Sequence, residues 1–210
     1  MTTATPLDGL FRATDNALRA VFAPARACPY PPDMPTETEL GETDKRQVAG
    51  LMRVNHAGEV AAQALYHGQA LFARSDQTRD LLFRAAEEEG HHLAWCEMRL
   101  RELGSHTSRL NPLWYAGSFA IGAVAAALDD RISLGFVTET ERQVEGHLNE
   151  HLQRLPAGDA RSRCIVETMK ADEARHAHTA QAAGAAELPL PVRLLMKVTA
   201  KVMTRTAYWV

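Results

Sequence analysis

Apolar positions recur every three to four residues along most of the chain, and the places where the recurrence fails divide it into elements. Residues 6–22 put Leu7, Leu10, Phe11, Leu18 and Val21 on one side, with Pro6 near the first turn, and predict a short amphipathic helix. The next stretch, CPYPPDMP (28–35), holds too much proline for a helix and reads as an extended arm. Periodicity resumes near Thr43 and Asp44 and runs to about Ala73. Ser75 and Asp76 supply turn and capping chemistry, so a second long helix is expected from about Thr78 to Leu103. After a loop, GSHTSRLNP (104–112), a third helical stretch covers roughly 113–154, PAGD (156–159) interrupts it, and a fourth runs from about Ala160 to Ala183. The third stretch would reach roughly 60 Å as one helix, too long for a compact bundle. A break is therefore expected near Asp129 and Asp130. The apolar part before it, Tyr115–Leu128, is too short for a bilayer span, which needs about 20 residues.

Composition narrows the class. The chain has 210 residues, enough for one domain with a real core, and Ala, Leu, Glu, Arg and Gln outweigh β-branched and aromatic residues, which favours an all-α fold. A net charge of −3 gives no electrostatic case for nucleic acid, and no such partner is expected. Cys28, Cys96 and Cys164 are widely spaced and odd in number, as free thiols of a reducing compartment would be. The N-terminus lacks a basic start and carries Asp8 and Asp15 within its apolar pattern, so it does not read as a signal peptide.

Ionisable residues break the apolar pattern in a repeated way. Glu-x-x-His, which sets a carboxylate and an imidazole one turn apart on one helix face, occurs as Glu88/His91, Glu89/His92 and Glu173/His176. A further glutamate, Glu59, lies 30 residues before Glu89, and Glu141 lies 32 before Glu173. The midpoints of these pairs are Arg74, beside Ser75-Asp76, and Ala157, inside PAGD, so two antiparallel helix pairs would bring each pair of glutamates level. Steps of three and four through Glu89 meet Leu82, Ala86, Leu93, Cys96 and Leu100, whereas those through Glu88 meet Leu81, Arg84, His91, Trp95 and Met98, a less clean apolar row. Glu89 and His92 are thus expected inside, with Glu87, Glu88 and His91 flanking or facing solvent. Glu141 shares its row with Leu134, Val137, Val144 and Leu148, Glu173 with Val166, Met169, Ala177 and Ala180, and Glu59 with Val48, Met52, Ala62 and Tyr66. Four buried carboxylates repel one another unless cations intervene; two divalent cations would balance them, with two neutral imidazoles completing the set.

One Glu from each of two helices plus Glu-x-x-His from each of two others resembles the di-iron or di-manganese carboxylate pattern of ferritin-like bundles. RVNHAGE (53–59), EEEGHH (87–92), TERQVEGH (140–147) and DEARH (172–176) carry a closer resemblance, over roughly residues 40–210, to the demethoxyubiquinone hydroxylase family of ubiquinone biosynthesis. That resemblance implies a ferritin-like four-helix bundle with a di-metal core plus peripheral amphipathic helices. Residues 1–40 would form an N-terminal helix and arm, 41–187 the bundle, and 188–210 a C-terminal basic amphipathic segment. It implies two iron ions held by Glu59, Glu89, His92, Glu141, Glu173 and His176, with manganese an acceptable alternative. By analogy with the class, Glu89 and Glu173 would bridge, while Glu59 and Glu141 would be more terminal. Asp172 and His147 are candidates to orient the imidazoles, and His147 reads equally as a surface or packing histidine. The implied reaction is O2-dependent hydroxylation of a polyprenyl benzoquinol. Without a dinucleotide fingerprint in the chain, electrons would come from an external reductant or from the quinol itself. The alternative is a ferritin-like iron-binding or oxidase protein with no quinone substrate.

A polyprenyl substrate lives in a bilayer, and the charge distribution bears on access to it. Residues 188–210 carry Arg193, Lys197, Lys201 and Arg205 at a spacing of four and no acidic residue, leaving 19 basic against 26 acidic residues in 1–187. With Leu194, Leu195, Val198, Val202 and Met203 on other faces and Tyr208-Trp209 at the end, the segment suits an interfacial helix on anionic lipid. The same pattern fits a bundle-packing helix with snorkelling cations. Tyr115–Leu128 suits either lipid or close helix packing through its small residues. The expected location is peripheral, on the cytoplasmic side of a bacterial-type cell membrane, and a homo-oligomer is compatible with the pattern.

Overall fold

The computed structural model describes residues 6–23, 28–36 and 39–210, and the side chains at 6–10, 12 and 13 lie outside that description. Seven helices occur among the described residues: α1 (Pro6–Phe22), α2 (Glu42–Phe72), α3 (Asp76–Glu102), α4 (Asn111–Leu128), α5 (Asp130–Arg154), α6 (Ala160–Ala182) and α7 (Leu190–Ala207). The bundle is α2 paired with α3 and α5 paired with α6; α4 lies along α2, and α1 and α7 also rest on α2.

Local chemistry sets the helix ends. The Ser75 hydroxyl accepts from the Thr78 amide at 3.0 Å and starts α3. The expected break in the third stretch falls at Asp129, which is extended, with φ −171° and ψ 147°; its carboxylate accepts from the Arg131 amide at 2.8 Å and caps α5. Asp130 in turn accepts from the amides of Arg74 and Ser75, both at 2.9 Å, while Arg74 donates to the carbonyls of Ala127 and Leu128 that end α4. The α2–α3 turn and the α4–α5 break are thereby tied together. At the opposite end Arg99 is buried and donates to Asp159 at 3.0 Å and to Ser162 at 2.9 Å, while Asp159 caps α6. This ion pair fixes the α5–α6 turn to α3.

Backbone contact explains the small residues of α4. A Cβ on Gly122 would overlap the Leu65 carbonyl oxygen, and one on Gly68 would overlap that of Phe119, so α2 and α4 touch main chain to main chain. The opposite side of α4 leaves Leu113, Ile121, Val124 and Leu128 exposed. Of the expected row on α1, Leu7 and Leu10 lie outside the described side chains. Phe11 and Leu18 are exposed, and Val21 packs with Ala17 and Ala20 against Val60, Ala64, Leu93 and Tyr115.

The arm is not helical, as its prolines require, but it is not extended throughout: it turns at Pro32 and Asp33, where Asp33 has φ 60°, and side chains satisfy its carbonyls. Trp95 donates to Pro29 at 2.8 Å and Arg161 to Pro35 at 3.0 Å, while the Tyr30 hydroxyl donates to Glu102 at 2.8 Å. The end of α7 is packed into the bundle. Tyr208 occupies the space left by Gly50, its carbonyl accepts from Arg53 at 2.7 Å, and Ala207 is buried. Along the rest of α7, Leu190, Leu194, Leu195, Val198 and Val202 are exposed, as are Lys197, Lys201 and Arg205. Arg193 is tied to Glu139 at 3.0 Å. No described helix is long and apolar enough to cross a membrane.

Candidate metal centre

Each long bundle helix turns one glutamate inward at the same level. Glu59 on α2, Glu89 on α3, Glu141 on α5 and Glu173 on α6 are all 2% exposed or less, and His92 and His176 are buried beside them. Glu87, Glu88 and His91 face outward. Among the described residues, two groups of potential ligand atoms lie within 4.8 Å of one another: Glu59, Glu89, His92 and Glu173, and Glu89, Glu141, Glu173 and His176. Glu89 and Glu173 belong to both groups. All six residues singled out from the sequence meet here.

The layers above and below are apolar. One turn away on one side stand Ala62, Ala86, Val137 and Ala180, packed around Tyr66. On the other side Met52, Cys96, Leu148, Val166 and Met169 close the core.

Polar atoms at the centre converge and only partly satisfy one another: His92 Nδ1 lies 2.9 Å from Glu89 Oε2. His176 Nδ1 lies 3.2 Å from Glu89 Oε1 and 3.4 Å from Glu173 Oε2. Yet His176 Nδ1, Glu89 Oε1, Glu141 Oε1 and both Glu173 oxygens are buried without an aligned hydrogen bond. Their ionisation reports the same crowding. Burial pushes the Glu59 carboxyl well above its ordinary value, and the Glu89 charge adds to the shift. Glu141 is raised by burial and then by Glu173. Burial opposes the charged form of Glu89 too, but hydrogen bonds from His176 and His92 hold it below the usual carboxylate range. Burial likewise disfavours the imidazolium cations, and here the carboxylates prevail. Glu173 and Glu89 raise His176 to about 11, and Asp172 and Glu173 raise His92 well above its ordinary value. Buried oxygen and imidazole nitrogen atoms that converge in two groups, most of them without an aligned partner, fit a pair of divalent cations of the iron or manganese kind.

Both imidazoles present Nδ1 to the centre and Nε2 to a carboxylate outside it. His92 Nε2 lies 3.0 Å from Asp172 Oδ2, and His176 Nε2 lies 2.8 Å from Glu88 Oε2. Asp172 thus stands where the sequence suggested an orienting group. His147 does not; it packs on His151, with ring centroids 3.9 Å apart, because its side of α5 faces away from the imidazoles. Glu88 was missed, since its row mixes apolar residues with Arg84 and His91 and it is half exposed. The available signal was its place immediately before Glu89, matching Asp172 before Glu173.

Comparison with known proteins places the chain. The family model described as ubiquinone biosynthesis protein COQ7 matches residues 46–207. The chain belongs to the COQ7 family. Similar COQ7-family relatives extend the match to the arm and α1. A protein named 3-demethoxyubiquinol 3-hydroxylase from Nitrosomonas eutropha is 57% identical over 206 residues, covering 97% of this chain and 99% of the relative. Proteins of the same name from Dechloromonas aromatica and Bordetella parapertussis are 56% and 55% identical, over 96% and 98% of this chain and 98% and 94% of theirs. All six convergent residues lie inside the segment matched to the COQ7 family.

Proposed function

We propose that this chain is a di-iron 3-demethoxyubiquinol 3-hydroxylase, which uses O2 to hydroxylate the ring of a polyprenyl methoxy-methyl benzoquinol in ubiquinone biosynthesis. The observation that carries the reading is the sharing of Glu89 and Glu173 between two ligand groups. Two shared carboxylates suit two neighbouring cations. Glu59 and His92 complete one position, and Glu141 and His176 the other. The name of the full-length relatives supports the substrate.

When bound, the irons supply the electron exchange with O2 that a protein side chain cannot. The chain's own residues do the rest. Four carboxylates balance the charge of two divalent cations, so the loaded centre is neutral in a low-dielectric core. Asp172 and Glu88 accept from Nε2 and leave each Nδ1 lone pair pointing inward. The apolar layers keep water from competing with the ring. Electrons arrive from an external reductant or on the quinol.

The substrate's tail also places the protein at a bilayer, as a peripheral protein. Exposed apolar rows on α1, α4 and α7, three helices that all pack on α2, support this, as do the exposed cations of α7. Co-sedimentation with anionic vesicles should be strong at low salt and weaken when Leu194, Leu195 and Val198 are changed to Ser; unchanged binding would exclude α7 as the contact.

The deciding experiment loads the purified chain anaerobically with ferrous iron, counts the metal, then adds short-tailed demethoxyubiquinol, reductant and O2. Two irons per chain and a product heavier by one oxygen atom are expected, with product lost in Glu89→Ala and Glu173→Ala. Two irons without product would remove the substrate and favour an iron oxidase. No iron would remove the metal centre.

A further inference from the structure

The carboxylates behind the two imidazoles are exchanged between the halves of the bundle. His92 and Glu88 belong to α3, and His176 and Asp172 to α6. Yet His92 bonds to Asp172 of α6, and His176 to Glu88 of α3. Each half of the centre is therefore completed by the helix that carries the other half's imidazole. One cation joins the pair. Arg175 places Nη1 2.5 Å from Asp172 Oδ1 and Nη2 3.0 Å from Glu88 Oε2.

The symmetry stops there. His92 and His176 are 84 residues apart, and the position 84 before Arg175 is His91. His91 stacks against Trp95, with ring centroids 6.4 Å apart, so a single guanidinium serves both carboxylates. The carboxylates are also unequally sheltered. The Asp172 side chain is 21% exposed and that of Glu88 47%. Their imidazoles follow the same order, His92 at 1% and His176 at 7%. Screening by water weakens the hold of the more exposed acceptor and leaves its imidazole freer to turn.

We propose that Glu88, Asp172 and Arg175 form a crossed clasp of positioning residues that orients the two ligand imidazoles and makes the two metal positions bind in order, the Glu59–His92 position before the Glu141–His176 position. The inference rests on the two-metal reading above. Arg175 holds both carboxylates; the better sheltered Asp172 prepares the first position, whereas the second depends on the half-exposed Glu88. Loss of an outer carboxylate weakens the imidazole it faces across the bundle, not the one on its own helix. Such partners are each worth about 10–100-fold in metal affinity.

The test uses cobalt(II) alone as probe, on the full chain under anaerobic conditions. Equilibrium dialysis of the wild type should show two unequal binding steps. In proton NMR of the cobalt-loaded chain, each ligand imidazole should give one exchangeable, paramagnetically shifted N–H signal, assigned with His92→Gln and His176→Gln. The His92 signal should appear with the first cobalt. Glu88→Ala should weaken the second step by about 10–100-fold and remove the His176 signal while leaving that of His92. Asp172→Ala should do the reverse, and Glu88→Gln, whose amide oxygen still accepts, should keep the signal. Circular dichroism of the metal-free variants should match wild type, since both sites lie at the bundle surface. Loss of the His92 signal in Glu88→Ala, unaltered signals in both alanine variants, or the His176 signal appearing first would each overturn the clasp. Fewer than two cobalt ions bound by the wild type would overturn the two-metal reading, and the clasp with it.

Discussion

Loading the centre with two divalent cations should expel protons, up to one each from Glu59, Glu141, His92 and His176. Without cations these are the four groups whose proton affinity the core raises: the two glutamates because burial and neighbouring carboxylates disfavour their anions, the imidazoles because carboxylates surround them. Two cations bring four positive charges as the four protons leave, so the exchange conserves charge in a volume where net charge is costly. Affinity should then rise with pH, by a factor approaching about 100 per pH unit for each metal if two protons leave per ion. Anaerobic calorimetry of ferrous iron or cobalt(II) binding, run in buffers of different ionisation enthalpy at one pH, counts the protons directly. Release of fewer than about one proton per metal would mean that the six residues are already deprotonated without cations, and the account of the centre's electrostatics would fail.

Other consequences concern stability. In the metal-free protein the four raised groups bind more protons folded than unfolded, so stability should fall as pH rises. The glutamates begin to contribute to this loss above about 4.5, and the histidines above about 6.5, continuing toward about 11 for His176; thermal melts from pH 6.5 to 9 should show a decline that metal loading suppresses. Gly122→Ala forces α2 and α4 apart and should cost about 1–3 kcal/mol, read from denaturant midpoints; an unchanged midpoint would show that the helices separate freely. Asp159→Ala removes one of the two carboxylates paired with buried Arg99, leaving Glu102 at 2.9 Å, together with the α6 cap, a cost of about 2–4 kcal/mol. At about 2–4 °C per kcal/mol for a chain of this size, calorimetry should find the melting temperature lower by about 4–16 °C.

Much of the centre was legible because helical periodicity is local. A glutamate inside an apolar three-and-four row has one place to go, and Glu59, Glu89, Glu141 and Glu173 each sit in such a row. Chain reversals near Arg74 and Ala157 brought them level, and the break at Asp129 followed from length and capping chemistry. Row membership says nothing about a residue at the edge of a face. Glu88 looked like a solvated neighbour, and its hydrogen bond to His176 joins residues 88 positions apart on helices whose rotation only packing sets. His147 failed in the opposite sense: near Glu141 in sequence, it faces His151.

The peripheral helices mark the same boundary. From composition, Tyr115–Leu128 suited lipid and helix packing equally, and α4 uses its small residues against α2 while leaving four large apolar side chains outside. For α7 the periodicity alone did not say which face meets the bundle; Tyr208 seated over Gly50 decides it and turns the leucine and valine row outward. By itself the sequence determined the helices, their ends and the inward carboxylates, because these depend on spacing and capping within one element. Tertiary structure alone decided the crossed hydrogen bonds, the pairing of glycines between helices and the face that α7 leaves exposed, because each depends on how one helix is rotated against another.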